Sequence, residues 1–302
     1  MKRTAPLCLT LLTLMTGHLW AADAPKRLLL IAGKPSHPPG MHEFRAGALL
    51  HQQCLKGFPG LQVEVYSNGW PTKVEGGQSV PDNSVFTGAA AVVIFADGGT
   101  GHPAVQSDRL KFLDDLAKTG VGLGFAHYGV EVPKGEPGEA LKHWIGGYYE
   151  NLYSVNPMWW PQYEKFPEHP VTRGVKPFST KDEWYFNMRW ADDMKGVTPI
   201  LTATPPDAVR KGPYVWPAGP YEHIVAASGR TETLMWVKVN ENGSRGFGFT
   251  GGHTHSNWGE ANQRKVFLNA LVWLSGLEVP STGVQSTVSE AQLAENLDPK
   301  KK

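Results

Sequence analysis

Polar side chains that can exchange protons or bind metal follow directly on apolar runs in the first half of this chain. His37 lies in a glycine- and proline-rich turn after one run, Asp97 and Gly98 follow another, and His127 follows a third. Imidazole and carboxylate groups act as general acids and bases once burial and neighbouring charges adjust their pKa values. The same groups are ligands for divalent metals. We therefore expect His127 to be catalytic or metal-binding, and His37, Asp97 and Gly98 to contact a substrate.

Adjacent carboxylates stand beside aromatic residues in the second half of the chain. Asp182 and Glu183 are followed directly by Trp184 and Tyr185. Taken alone, such a pair is more typical of a solvated turn or a helix cap. Beside histidines, however, paired carboxylates can perform acid/base chemistry. We predict that Asp182 and Glu183 are catalytic, with Glu183 also a candidate metal ligand.

Two histidines in the segment GGHTHSNW follow the last apolar run. His253 and His255 are two residues apart, so in an extended chain their side chains point in opposite directions and at most one faces a site. We expect His253 to be catalytic or metal-binding and His255 to contact substrate. His42, His51 and His143 fall within predicted helices and are expected to be structural or exposed.

Alternating apolar and helical segments must position these side chains. Runs at 27–32, 61–66, 90–96 and 121–126 predict strands, and segments 42–56 and 105–118 predict helices between them. This alternation predicts an α/β fold, a mostly parallel sheet with helices on both faces. Ligands bind beyond the carboxyl ends of such strands. The turns that carry His37, Asp97 and His127 should therefore meet at one edge.

The middle of the chain, 148–221, is rich in proline and aromatic residues and predicts long loops over this scaffold. Flat aromatic side chains pack against the apolar faces of sugar rings, which makes Trp160, Trp184 and Tyr185 candidate sugar-binding residues. Further strands are predicted at 233–239 and 245–250 and a helix at 260–275. The polar tail, 280–302, is predicted to be poorly ordered.

Composition excludes several classes of protein. The 302 residues are 41% hydrophobic, and the formal net charge of +1 comes without the basic stripe that nucleic-acid binding requires. Only two cysteines are present, and Cys8 lies in the leader, so Cys54 can form neither an intramolecular disulfide nor a cysteine-based zinc site. No turn has a dinucleotide or P-loop fingerprint, so NAD and ATP are not expected as cofactors.

The first residues are typical of an export signal. Lys2 and Arg3 precede a short apolar run at 7–14, and an A-x-A-like site precedes Ala22. The alternative, an uncleaved anchor helix, is disfavoured because a membrane span needs about 20 apolar residues. We expect a signal peptide at 1–21 and a periplasmic or secreted protein with no membrane contact after cleavage.

Taken together, the motifs resemble the trehalose-utilisation (ThuA-like) family, whose fold belongs with the class I glutamine amidotransferase-like, flavodoxin-like group. The segments that carry the resemblance lie at 28–47, 92–103, 121–150, 169–178, 182–189 and 246–259, within a domain at 26–279. Amidotransferases of this fold place a nucleophilic cysteine after the strand where this chain has His127. Because that thiol is absent, glutaminase chemistry is not expected.

The resemblance implies an enzyme that processes oxidised (3-keto) glycosides by elimination, hydration or isomerisation, beside a sugar oxidoreductase in the same pathway. His127 or Glu183 would be the base, His253 the acid or enolate-stabilising donor, and His37 with Asp97 the orienting groups. A divalent metal on His127, His253 and Glu183 is a candidate cofactor.

Two alternatives remain open. One is a non-catalytic carbohydrate-binding protein that uses the aromatic loops. The other is a glycoside hydrolase in which Glu131, Glu150 or Asp182 stands opposite Glu183.

Overall fold

The computed structural model describes residues 24–300, so the predicted signal peptide at 1–21 lies outside the described residues. A seven-stranded sheet forms the centre of the fold, in the order β11-β12-β13-β6-β5-β1-β2. Its strands are β1 (Lys26–Ala32), β2 (Leu61–Tyr66), β5 (Ala89–Phe95), β6 (Gly122–Ala126), β11 (Val197–Ala203), β12 (Glu232–Val239) and β13 (Arg245–Phe249). The neighbours from β13 to β2 are all parallel, and β12 runs antiparallel to both of its neighbours. The predicted α/β class is confirmed.

Helices cover both faces of this sheet. They are α1 (Phe44–Cys54), α2 (Arg109–Lys118), α3 (Glu136–Ile145) and α6 (Ala261–Leu274). Leu28 and Leu30 of β1 point to the face packed by α1 and α6, whereas Leu29 points to the face packed by α2 and α3. This alternation buries β1 on both sides, which is why it appears in the sequence as a continuous apolar run.

Helix α1 begins two residues later than the sequence predicts. His42 has φ 47°, a left-handed conformation that a right-handed helix cannot contain, and the helix starts only at Phe44. His42 therefore lies in the turn between β1 and α1, on the edge where the parallel strands end. The expectation that His42 is an ordinary helical residue is wrong.

The aromatic middle section contains more structure than predicted. Strand β11 closes one edge of the central sheet, although Pro199 interrupts its apolar pattern. Short antiparallel pairs organise the rest: β7 (Gly147–Tyr148) with β10 (Arg189–Trp190), and β8 (Met158–Trp159) with β9 (Asp182–Glu183). A hairpin of β3 (Thr72–Glu75) and β4 (Gln78–Pro81) and the short helices α4 (Asp207–Arg210), α5 (Glu222–Val225) and α7 (Glu290–Ala294) complete the fold. No helix within 24–300 is both long enough and apolar enough to span a membrane.

The tail is packed rather than poorly ordered, which corrects the sequence prediction as far as Lys300. Helix α7 is held at its start by a capping box of Ser289 and Gln292. Beyond it, the Asp298 amide donates to Glu43 Oε2 at 2.8 Å and Lys300 Nζ lies 3.2 Å from Glu43 Oε1. The tail therefore crosses back to the turn that carries His42.

Candidate functional site

Three histidines and one glutamate meet at the carboxyl-end edge of the sheet. His42 Nε2 lies 3.0 Å from His127 Nε2 and 3.0 Å from His253 Nδ1. Glu183 Oε2 lies 2.6 Å from His253 Nδ1 and 3.7 Å from His127 Nε2. All four side chains are buried, and one ligand atom of each lies within 4.8 Å of the others. We call His42, His127, His253 and Glu183 the four-residue cluster; together they could hold a metal ion.

The strands β1, β6 and β13 bring the three histidines of the cluster together. His42 follows β1, His127 follows β6 immediately, and His253 lies four residues beyond β13. His127 has φ 50°, a strained backbone conformation of the kind that is concentrated at functional sites. The Gly252 φ of 103° lets the loop after β13 turn His253 towards the cluster.

Glu183 reaches the cluster from the middle section, and Asp182 fixes the loop beside it. The Asp182 carboxylate accepts hydrogen bonds from the backbone amides of Gly252 at 2.8 Å and Thr254 at 2.9 Å. Its two oxygens are thus engaged with the loop that carries His253. Asp182 is a positioning residue here, and the predicted catalytic role does not fit this geometry. Burial raises the pKa of both Asp182 and Glu183.

Hydrogen bonds outside the cluster determine which imidazole nitrogens face its centre. His42 Nδ1 lies 3.0 Å from Asp97 Oδ1, and His127 Nδ1 lies 3.0 Å from the Thr250 carbonyl oxygen. Both partners are acceptors, so each Nδ1 carries the proton and each Nε2 is left with a lone pair. Burial lowers the pKa of His42 and His127, and the neighbouring histidines lower it further, so both rings are neutral.

Asp97 and His37 form the more exposed side of the site. Asp97 also accepts from Ser36 Oγ at 2.9 Å, and the His37 ring lies 3.6 Å from the His42 ring. Burial raises the pKa of Asp97 and lowers that of His37. The structure therefore brings His37 and Asp97 beside the cluster, in contact with the histidine that the sequence reasoning missed.

Tyr185 contacts His127, and Gly98 packs against the backbone of Glu131. The Tyr185 hydroxyl donates to His127 Nε2 at 3.2 Å. A Cβ at Gly98 would lie 2.7 Å from the Glu131 carbonyl oxygen, so glycine is required here for close backbone packing rather than for substrate access. Burial, and then the charge of Glu183, raise the pKa of Glu131 to about 7.

Other predicted site residues lie elsewhere. Trp184 is fully buried and packs against Phe249, so it belongs to the core and cannot contact a substrate. His255 is also buried, with Nε2 3.0 Å from the Leu293 carbonyl oxygen of the tail. Trp160 is 60% exposed on the surface. Glu150 is paired with Arg189 at 2.8 Å, and this engagement makes it a poor partner for Glu183 in hydrolysis.

Asn156 was not singled out from the sequence, yet it connects the cluster to an exposed loop. Its Nδ2 donates to Glu183 Oε1 at 2.7 Å, and its Oδ1 accepts from the backbone amide of Trp216 at 3.2 Å. The Trp216 side chain is 75% exposed. Nothing in the sequence marks an asparagine 27 residues before Glu183 as its partner, because the contact depends on the pairing of β8 with β9.

Comparisons with known proteins agree with this architecture. The family model ThuA, described as trehalose utilisation, matches residues 59–274. No curated protein is significantly similar in sequence. A putative ThuA-like protein from Bacteroides uniformis has a similar fold, with a TM-score of 0.57 and 16% identity over 84% of this chain and 93% of that chain.

Two solved structures from Thermotoga maritima give lower scores. PurLQS has a TM-score of 0.39 and 13% identity over 83% of this chain and 99% of that chain. A glutamine amidotransferase has a TM-score of 0.38 and 11% identity over 83% and 90% of the two chains.

Proposed function

This chain belongs to the ThuA family, and from that premise we propose that it is a carbohydrate-processing enzyme that acts on oxidised (3-keto) glycosides. The family description, trehalose utilisation, supports a sugar substrate. The observation that carries the proposal is the convergence of three buried histidines and Glu183 at the carboxyl-end edge of the sheet. Such a concentration of imidazole and carboxylate groups suits chemistry at a carbonyl group.

A 3-keto glycoside needs two kinds of assistance. Its C2 proton is acidic because removal places the electron pair on the C3 oxygen as an enolate. Return of that pair forms the C1–C2 double bond and expels the C1 substituent, which takes up a proton and leaves as an alcohol. The enzyme must therefore stabilise charge on the C3 oxygen and transfer protons at C2 and at the leaving group. Hydration or isomerisation of the same ketone would use the same two functions.

We assign the stabilisation of charge on the C3 oxygen to the four-residue cluster, and the proton transfer to Glu131. The cluster residues surround one point, so they act together on one oxygen rather than as separate acids and bases, and a divalent metal held there would serve as the Lewis acid. Glu131, with a pKa of about 7, can accept and return a proton near neutral pH. This assignment moves the base from His127 or Glu183 to Glu131. Substrate would enter past His37 and Asp97, which line the more exposed side.

Cellular context follows from the same proposal. Export by the leader at 1–21 would place the enzyme in the periplasm or outside the cell. An oxidoreductase that oxidises the sugar at C3 must act before it, because unoxidised glycosides lack the acidic C2 proton.

The experiment compares matched substrates. The mature protein is incubated with a 3-keto glucoside and with the corresponding unoxidised glucoside, and both are followed by NMR. We expect only the keto sugar to be consumed, with Glu131→Gln lowering kcat by about 100-fold or more because proton transfer is lost. His143→Gln, at an exposed helical position, is the matched control and should keep wild-type activity. Consumption of neither sugar overturns the proposal.

A carbohydrate-binding protein without catalysis is the second candidate, favoured by the exposed Trp160 and Trp216. It predicts affinity for the unoxidised glycan that Trp160→Ala weakens and Glu131→Gln leaves unchanged. Cleavage of the unoxidised glucoside would instead indicate a glycoside hydrolase.

A further inference from the structure

We infer that His42, His127, His253 and Glu183 form a binding site for one divalent transition-metal ion, with His42 as a ligand that completes the set. The inference deepens the proposed function, and the catalytic use of the metal rests on that function. Binding itself is measurable without any substrate. The starting observation is that four ligand atoms from four different parts of the chain lie within 4.8 Å of one another in a buried position.

The arrangement of the His42 and His127 rings is the main argument. Asp97 and the Thr250 carbonyl oxygen each accept the Nδ1 proton of one ring, so both Nε2 atoms are unprotonated. These two lone pairs face each other across 3.0 Å. Although the Tyr185 hydroxyl donates to His127 Nε2 at 3.2 Å, the His42 and His127 Nε2 atoms are both acceptors, and they repel each other unless a proton or cation lies between them. The protein therefore holds the rings in an orientation that a shared cation stabilises.

His253 and Glu183 supply the remaining ligand atoms. His253 Nδ1 lies 3.0 Å from His42 Nε2, and Glu183 Oε2 lies 2.6 Å from His253 Nδ1. Metal–ligand bonds of about 2.0–2.1 Å in a tetrahedron place neighbouring ligand atoms about 3.3 Å apart. Four of the six separations lie between 2.6 and 3.7 Å and bracket that value, and all six are within 4.8 Å, so modest shifts are enough to accommodate an ion.

The contacts around the ligands are those of a metal centre. Ligand histidines normally donate their second N–H to a carboxylate or a backbone carbonyl, as His42 and His127 do here. Asn156 holds the second oxygen of Glu183, which leaves Oε2 directed at the histidines. His42 and His127 also have positive φ angles of 47° and 50°, a backbone strain that the surrounding structure maintains at both of these ligands.

The ligand set defines the class of metal. Three imidazoles and one carboxylate favour Zn²⁺, Mn²⁺, Fe²⁺, Co²⁺ or Ni²⁺ over Ca²⁺ and Mg²⁺, which prefer sites made of oxygen ligands. Bound beside the substrate, such an ion would stabilise negative charge on the carbonyl oxygen.

The test measures metal directly on the full mature chain. Protein is freed of metal with a chelator, and Zn²⁺, Mn²⁺, Co²⁺, Ni²⁺ and Mg²⁺ are titrated singly by calorimetry, with metal content measured by elemental analysis. We expect about one equivalent of at least one transition ion, a rise in Tm on binding, and no comparable binding of Mg²⁺. The visible spectrum of the Co²⁺ form reports nitrogen coordination independently of activity.

Variants separate this site from adventitious surface binding. His42→Ala and Glu183→Gln should lower the affinity at least about 100-fold, whereas His143→Gln, on an exposed helix position, should bind as the wild type does. If no transition ion binds, or if the cluster variants bind as tightly as the wild type, the inference is wrong. Glu131→Gln should keep its metal, because Glu131 is not one of the four ligands. If the wild-type protein binds metal but leaves keto sugars unchanged, only the proposed function is refuted.

Discussion

Asp97 Oδ1 accepts the Nδ1 proton of His42 across 3.0 Å, and this single contact directs the other nitrogen of His42 into the four-residue cluster. His42 is almost fully buried, whereas the Asp97 side chain is about one-third exposed. A carboxylate that is only one-third exposed therefore controls the orientation and protonation of a buried ring. Asp97 can therefore be substituted without disturbing the core.

Asp97→Ala should weaken metal binding by about 10- to 100-fold, because His42 loses the acceptor that fixes its tautomer. The affinity is measured by competition with a chromogenic chelator. Ser36→Ala is the matched control, since it removes the other hydrogen bond to Asp97 and leaves the carboxylate in place. An unchanged metal affinity in Asp97→Ala would show that His42 is held by its packing and not by this contact.

The sequence is informative about the site wherever a residue follows a strand directly. His127 and Asp97 can be placed at one edge of the sheet because apolar runs identify β5 and β6, and parallel strands bring their ends together. The position of His42 could not be predicted in this way, because it stands at the start of the predicted helical segment 42–56 and its residue type does not indicate a left-handed φ. The role of Asn156 could not be predicted either, because its contact with Glu183 arises from a two-residue strand pair.

Strand β11 and the ordered tail could not be predicted from the sequence for similar reasons. The proline in β11 hides an edge strand, where a missing amide is tolerated more easily than in the centre of a sheet. The tail resembles a disordered segment because its composition is polar. It is held instead by particular contacts, such as that of Lys300 with Glu43, which composition does not reveal.

Removing the Lys300 ammonium should destabilise the fold. Lys300 Nζ lies 3.2 Å from Glu43 Oε1 and also donates to the carbonyl oxygen of His42; the Lys300 and Glu43 side chains are 5% and 1% exposed. Lys300→Met leaves the Glu43 carboxylate buried without its cation, which costs about 3 kcal/mol in the free energy of unfolding. Urea unfolding measures this loss.

Two controls accompany the Lys300 variant. Lys111→Met, at an exposed i,i+4 pair, should change stability by less than about 0.5 kcal/mol. Lys300→Arg should recover part of the stability and of the metal affinity, because a cation again anchors the turn that carries His42. Equal stability of Lys300→Met and the wild type would mean that the tail does not hold this turn in solution.

Acid should destabilise the protein through its fully buried histidines. His51 and His102 are fully buried, and burial lowers their pKa values from 6.5 to about 3 and about 4. Below about pH 6.5 the unfolded chain binds protons that the folded chain does not, so the free energy of unfolding falls as the pH falls. Each group contributes about 1.4 kcal/mol per pH unit until its folded pKa is reached.

Urea unfolding between about pH 7.5 and about pH 5, with chelator present to remove metal, measures this slope. His51→Leu should reduce the slope by about one proton, since leucine has a similar volume and does not titrate. The His51 Nε2 atom has no hydrogen-bond partner within residues 24–300, so the variant breaks no bond there. A slope in His51→Leu identical to that of the wild type would contradict the assigned cause.

Gly98→Ala should separate proton transfer from metal binding. A Cβ at this position would lie 2.4 Å from the Tyr128 carbonyl oxygen and 2.7 Å from that of Glu131, so the segment bearing Glu131 must move. No member of the four-residue cluster lies within 128–131, although His127 directly precedes this segment. We therefore expect about one equivalent of metal to be retained while kcat for the keto sugar falls by about 10-fold or more, because a displaced base transfers protons poorly. Gly101→Ala, where a Cβ meets open space, is the matched control. Loss of metal in Gly98→Ala would show instead that the backbone after β5 supports the cluster, and that Glu131 cannot be assigned from this variant.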